Sequence, residues 1–229
     1  QILSLPVSQS TGYAQRVTNG GAVRSTGVEL ILTGTPIFKK NFRWNAAVNF
    51  SSNVAKIESL PDGAKQLTLA YSRVYDSPNQ TVYYIATEGG RVGDLWGTGY
   101  LKNSEGKFIV DANGNLIADN TLKKLGNYNP DFMLGFSNSF RYNQFDFGFL
   151  LDWRQGGILV SRTLALAGVA GQLKETENRP AAGLAFDAVV NTGTAANPVY
   201  IQNTKLISAE SYYRQFYDRN HEENNTYND

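Results

Sequence analysis

The chain has one histidine, His221, in the polar run ending at Asp229, and it has no cysteine. A serine-type triad, a cluster of imidazole ligands, an HExxH metal site and a thiolate nucleophile therefore cannot be assembled. His221 reads as an exposed loop residue. Carboxylates are plentiful, but no spacing sets a pair across a cleft, so paired-acid glycoside hydrolysis has no support. Gly89-Gly90-Arg91-Val92-Gly93 and Gly97-Thr98-Gly99 lack the Lys-Ser/Thr and the strand-to-helix context of a phosphate loop, and they read as flexible turns. The expectation is a protein that is not an enzyme, with no catalytic residue and no cofactor.

Binding chemistry is better represented. Tyr71, Tyr75, Tyr83, Tyr84, Trp96 and Tyr100 concentrate aromatic rings in one interval. Flat rings with a polar edge suit sugar rings, peptides or a protein partner, and they equally serve to pack a loop on itself. Trp96 is the foremost candidate for substrate or partner contact.

These residues must be held by something. Four segments, at about 23–33, 42–54, 132–141 and 145–154, alternate apolar and polar residues with a period of two, which predicts strands. The clearest is Phe42, Trp44, Ala46, Val48, Phe50 against Arg43, Asn45, Asn49 and Ser51; Asn138 is the one polar intruder on the apolar side of the third segment. At about 3.3 Å per residue such strands reach roughly 33 to 43 Å, enough to cross a tilted hydrocarbon layer. Short connections, Gly34 to Asn41 and Tyr142 to Gln144, join them into two hairpins, and the intervals at about 1–22, 55–131 and 155–229 read as long loops. Within these intervals, Phe108-Ile109-Val110 between two turn signals predicts a small meander, and Ser208 before Ala209 to Tyr217 predicts a capped helix.

The balance of 21 Lys+Arg and 20 Asp+Glu gives +1, which argues against a nucleic-acid surface or a polybasic anchor. No stretch approaches the roughly 20 apolar residues of a membrane helix. Short turns on one side, long loops on the other and aromatic residues at the strand ends are the pattern of an outer-membrane barrel. The expected fold is all-β, part of a large antiparallel transmembrane β-barrel. Val28, Leu30, Leu32, Trp44, Val48, Phe50, Leu134, Phe136, Phe147, Phe149 and Leu151 are expected to face lipid, with turns toward the periplasm and loops outward. Four strands cannot close a barrel, for which about eight is the minimum, so an incomplete barrel is expected. Gln1 is followed by no visible export signal, and both ends read as internal. A soluble carbohydrate-binding β-sandwich and a surface adhesion module are the alternatives.

Particular residues also resemble a family. Gly12-Tyr13, Asn19-Gly20-Gly21 and Val23 to Leu30 look like the approach to a late barrel strand in SusC/RagA-type TonB-dependent transporters. Leu125-Gly126-Asn127-Tyr128-Asn129-Pro130-Asp131-Phe132, then Gly135 to Phe140, is similar to that family's entry to another strand, and Leu151 to Gly157 with Ser161-Arg162-Thr163 resembles the strand and loop that follow. The resemblance covers the C-terminal part of the barrel. It implies a roughly 22-stranded barrel in the outer membrane of a Gram-negative bacterium, energised by the TonB complex through a plug that lies outside this chain. It further implies a SusD-like surface lipoprotein as partner and glycan or peptide uptake. Some members carry an acidic turn where this chain has Asp111, Asn113 and Asn115. With one carboxylate among these three, a calcium site is weakly supported and a plain Asn-Gly turn is the simpler reading.

Overall fold

The computed structural model describes residues 2–6, 8–73, 81–217 and 226–228. In chain order the strands are β1 (Ile2–Pro6), β2 (Gln15–Asn19), β3 (Ala22–Lys39), β4 (Phe42–Ser59), β5 (Gln66–Arg73), β6 (Thr81–Thr87), β7 (Asp94–Tyr100) and β8 (Phe108–Val110). They continue as β9 (Ala118–Asn127), β10 (Phe132–Tyr142), β11 (Phe145–Gln155), β12 (Ile158–Val160), β13 (Ala188–Asn191), β14 (Tyr200–Gln202) and β15 (Thr226–Asn228). The α-helices are α1 (Arg162–Val169) and α2 (Ala209–Tyr217). Neither is long and apolar enough to cross a membrane.

The long strands form one antiparallel sheet of order β11-β10-β4-β3, which does not close on itself. Its register aligns Leu30, Phe50, Leu134 and Trp153 in one row and Leu32, Val48, Phe136 and Leu151 in another. Because side chains alternate along each strand, Val28, Trp44, Phe147 and Phe149 lie on this same face. Nothing among the described residues covers it: Leu32, Phe147 and Leu151 remain 56%, 65% and 58% exposed. The opposite face carries Arg43, Asn45, Asn49, Ser137, Asp152 and Arg154, with Ile31, Phe38, Met133 and Leu150 among its apolar exceptions.

Rings collect at both ends of the apolar face. Toward the short turns, Phe140 lies 5.7 Å from Trp44, 6.4 Å from Phe42 and 6.3 Å from Phe147. At the loop end, Phe132 lies 5.8 Å from Phe50 and 5.4 Å from Trp153. Between them the intruding Asn138 is 3% exposed, and its Oδ1 accepts the Trp44 indole N–H at 3.0 Å.

Two expected boundaries are corrected. The connection at Gly34 to Asn41 is strand up to Lys39, leaving a turn of Lys40 and Asn41. Thr35 and Pro36 fall in a bulge between Gly34 and Ile37, and β3 is an outer strand of the described sheet, where a residue without N–H breaks no ladder. The second correction is β4, which runs past 54 to Ser59. From there its apolar residue changes face: Ile57 is 5% exposed on the side opposite Val54 and packs against the loop structure. At the short-turn end, Asn143 takes a left-handed φ of 53° and its N–H donates to Asn41, tying one turn to the other.

The intervals expected as loops at 55–131 and 155–229 contain much regular structure. A second sheet has the order β5-β6-β7-β9, and a third, β14-β13-β8, joins residues far apart in sequence, with β13 parallel to β8. Tyr100, Val110, Leu116, Phe186 and Ala188 form a core there, and Tyr212 and Phe216 of α2 pack on it. Ser208 caps α2 by accepting the Ser211 N–H, and Ser161 caps α1 by accepting the Leu164 N–H. The helices meet at Gly168, where an added Cβ would lie 2.2 Å from the Tyr217 ring.

Candidate functional site

The second sheet sorts the aromatic residues. Its register places Tyr71 beside Tyr83, Tyr83 beside Trp96 and Trp96 beside Lys124, so these four side chains share one face across four strands. Tyr71 is 60% exposed, with its ring 6.4 Å from that of Tyr83. Trp96 is half-buried, and among the described residues its indole N–H has no hydrogen-bond partner. The row is thus graded, from an open ring at the sheet edge to an enclosed one at its centre.

Lys124 ends the row in an ion pair, 2.8 Å from Asp94, whose side chain is almost fully buried. Asp94 also accepts from the Asn127 amide at 2.8 Å and from the Arg91 backbone N–H. Each of these bonds offsets the penalty of burying a charge, and together they fasten the Arg91 to Gly93 turn to β9. Gly93 has φ 97°, and an added Cβ would sit 2.5 Å from the Asn129 amide nitrogen, so the glycine run is a docked turn rather than a nucleotide loop.

Tyr84 is carried to the other face of the same sheet. Its ring meets Tyr128 edge-on at 6.3 Å, and both border a pocket of about 130 Å³ with Val23, Ile57, Leu69 and Arg91. Arg91 donates through Nη1 to Asp131 at 3.2 Å, and among the described residues its buried Nη2 has no acceptor. The pocket is mostly apolar, with Arg91 and the buried Asp94 as its charged lining.

Sequence reading did not single out Arg91, Ile57 or Tyr128 as neighbours, because they are far apart along one long interval and only the folding of β4, the glycine turn and β9 brings them together. The run Leu125 to Phe132 carried the one available signal. Its Tyr128 N–H donates to Gly93, the Tyr128 carbonyl accepts from Arg154 at 2.9 Å, and the Asp131 carbonyl accepts from Ser52 at 2.7 Å. This segment joins the large sheet to the loop sheet.

The remaining candidates separate. Tyr100 is 5% exposed in the loop core, its hydroxyl donates to the Gln215 carbonyl, and its ring stands edge-on to Phe108; as a contact surface for substrate it is withdrawn. Tyr75 and His221 lie outside the described residues.

Asp111 Oδ1 accepts from the Asn113 and Asn115 backbone amides at 2.8 and 2.9 Å. Burial pushes the Asp111 carboxyl up, and hydrogen bonds from Asn115 and Asn113 outweigh it, so the group titrates below its ordinary value. Asn115 Oδ1 in turn accepts from Gln215 of α2 at 2.8 Å. These residues build a turn that receives a helix. Among the described residues, no three His, Cys, Asp or Glu side chains gather at a common point.

No family model matches the chain. Among curated proteins, TonB-dependent receptor P3 of Formosa agariphila is 28% identical over 178 residues, covering 69% of this chain and 18% of the receptor. TonB-dependent receptor P39 of the same organism is 27% identical over 195 residues, covering 68% and 19%. Among solved structures, a RagAB peptide transporter superposes with a TM-score of 0.56 at 18% identity, over 76% of this chain and 20% of that one. A RagAB peptide importer in a closed-closed state gives 0.51 at the same identity, over 70% and 18%. The chain spans about a fifth of the length of these proteins, none of which is named as an enzyme. In sequence the chain is similar to one stretch of TonB-dependent receptors, and in fold to one stretch of the RagAB peptide transporter.

Proposed function

We propose that this chain forms wall and extracellular vestibule of an outer-membrane active transporter in a Gram-negative bacterium. The observation that carries the reading is the large sheet, with one uncovered apolar face bounded by rings and one polar face. A soluble sandwich would place a second layer over Leu32, Phe147 and Leu151. Lipid supplies that layer in a barrel, and the polar face lines a wet lumen.

In this reading Val28, Leu30, Leu32, Trp44, Val48, Phe50, Leu134, Phe136, Phe147, Phe149 and Leu151 contact acyl chains. The loop sheets stand above the wall, and Tyr71, Tyr83 and Trp96 offer rings to a glycan or peptide or to a SusD-like lipoprotein lid. Energy for import would come from the TonB complex acting on a plug domain, as the resemblance implies.

The test uses the full-length protein with Phe136→Arg and Phe149→Arg. Arginine at mid-bilayer depth costs roughly 2 to 4 kcal/mol, so the double variant is expected to fail outer-membrane assembly while Ser137→Arg, on the polar face, assembles. Normal amounts of both variants in outer-membrane fractions would overturn the reading.

A further inference from the structure

The apolar face of β3 and β4 does not end in neutral residues at the loop side. Following the alternation upward, Val28 and Ser52 are succeeded by Thr26 and Val54, and these by Arg24 and Lys56, which are direct partners in register. Both cations therefore stand on the side of the sheet that carries the apolar band. Like charges placed opposite each other in an antiparallel pair repel. Among the described residues neither has a carboxylate within ion-pair distance.

Arg24, Thr26, Val54 and Lys56 line one open groove, and Arg24 and Lys56 line an adjoining one with Glu58, Lys65 and Glu88. Lys65 and Glu88 are paired with each other. Glu58 is left as one carboxylate against two cations, so the groove retains a positive balance.

Height decides what could meet these charges. From Phe42 to Ser52, beside which Phe132 stands, the strand rises about 34 Å, or about 26 Å along the normal at a tilt near 40°. That matches the roughly 25 Å apolar band of a barrel. The step from Ser52 to Lys56 adds roughly 10 Å, which sets both cations at headgroup level, their aliphatic stems lying back along apolar surface.

Building on the barrel-wall reading, we propose that Arg24 and Lys56 form a binding site for the phosphate of a lipid headgroup in the leaflet on the loop side. The guanidinium fork suits two phosphate oxygens and the ammonium a third contact. Phosphate bound between the cations also relieves their repulsion. A lipid, rather than free phosphate, is the occupant because the groove lies on the same face of the sheet as Val28 and Leu30, next along the strands to the apolar band that would hold its acyl chains.

The experiment uses the full-length protein in detergent, read by native mass spectrometry with phosphatidic acid and with diacylglycerol of the same chains. The wild type is expected to retain phosphatidic acid preferentially, and R24Q/K56Q to lower that affinity by about 30-fold, from roughly fivefold per basic group. The charge-preserving R24K/K56R should keep most of the preference, which separates lost charge from lost folding. Equal retention of phosphatidic acid by wild type and R24Q/K56Q, or displacement of the lipid by millimolar inorganic phosphate, would overturn the proposal. Quenching of a fluorophore at Phe149 by brominated acyl chains keeps the premise separate. Quenching without phosphate preference sinks only the headgroup site, whereas absence of quenching sinks the barrel wall and the site with it.

Discussion

At the scale of single residues, Asn138 is the instructive exception. It occupies a position where every neighbour in the alternation is apolar, and it is 3% exposed. Its carbonyl oxygen satisfies the Trp44 indole, while among the described residues its amide nitrogen has no partner. A buried donor or acceptor left alone costs about 1 to 3 kcal/mol, and removing both partners of a pair can be nearly neutral. Asn138→Leu strands the indole N–H, and Trp44→Phe strands the Asn138 oxygen, so each is expected to destabilise by about 1 to 2 kcal/mol. The double variant is expected to be less destabilised than the sum. Urea midpoints of the full-length protein refolded into vesicles give the cycle, and strict additivity would show that the pair does not act as a unit.

At the scale of elements, legibility followed phase. Phe42 to Phe50 keeps one apolar phase over the first half of β4, so its sequence announces both the strand and its apolar side. Ile57 continues the same strand in the opposite phase, and the pattern therefore fades where the structure does not. β6 was hidden differently: Thr81, Val82, Ile85 and Ala86 are all buried, so both faces are covered and no alternation shows. Tyr100 looked like any loop tyrosine, because Phe186 and Ala188, which enclose it, come from a distant segment whose short strand pairs with β8.

The Asp111 turn belongs to this scale, since it holds α2 through Asn115 and Gln215. Its carboxyl titrates lower when folded than when unfolded, so its contribution is complete above the ordinary carboxylate value, about 3.9. That contribution is lost as pH falls through the lower folded value. Hydrogen exchange at the Asn113 and Asn115 amides, corrected for intrinsic rates, is expected to lose protection on acidification below about pH 4. Asp111→Asn should flatten that step; an unchanged acid profile in the variant would assign the loosening to other groups.

At the scale of the whole molecule, wall and loop structure answer to different demands. The wall is specified by one repeated choice, apolar against polar, whose physical reference is a solvent on each side of a sheet. The loop sheets are specified by contacts between distant segments, and so their aromatic residues divide into three fates: core for Tyr100, pocket rim for Tyr84, and a row running from exposed Tyr71 through Tyr83 to half-buried Trp96. Trp96 stood first in the sequence, yet its enclosure means that Trp96→Ala would combine lost contact with a cavity in β7. Tyr71, open at the sheet edge, is the cleaner probe. If the row meets substrate or lid, Tyr71→Ala in the full-length protein should weaken uptake or lid association by about 2- to 10-fold, the worth of one aromatic contact. Assembly into the outer membrane should be unchanged, in contrast to Phe136→Arg with Phe149→Arg. Unaltered uptake and lid association in Tyr71→Ala, with Trp96→Phe equally silent, would assign the row to packing of the loops and leave the vestibule's contacts to other residues.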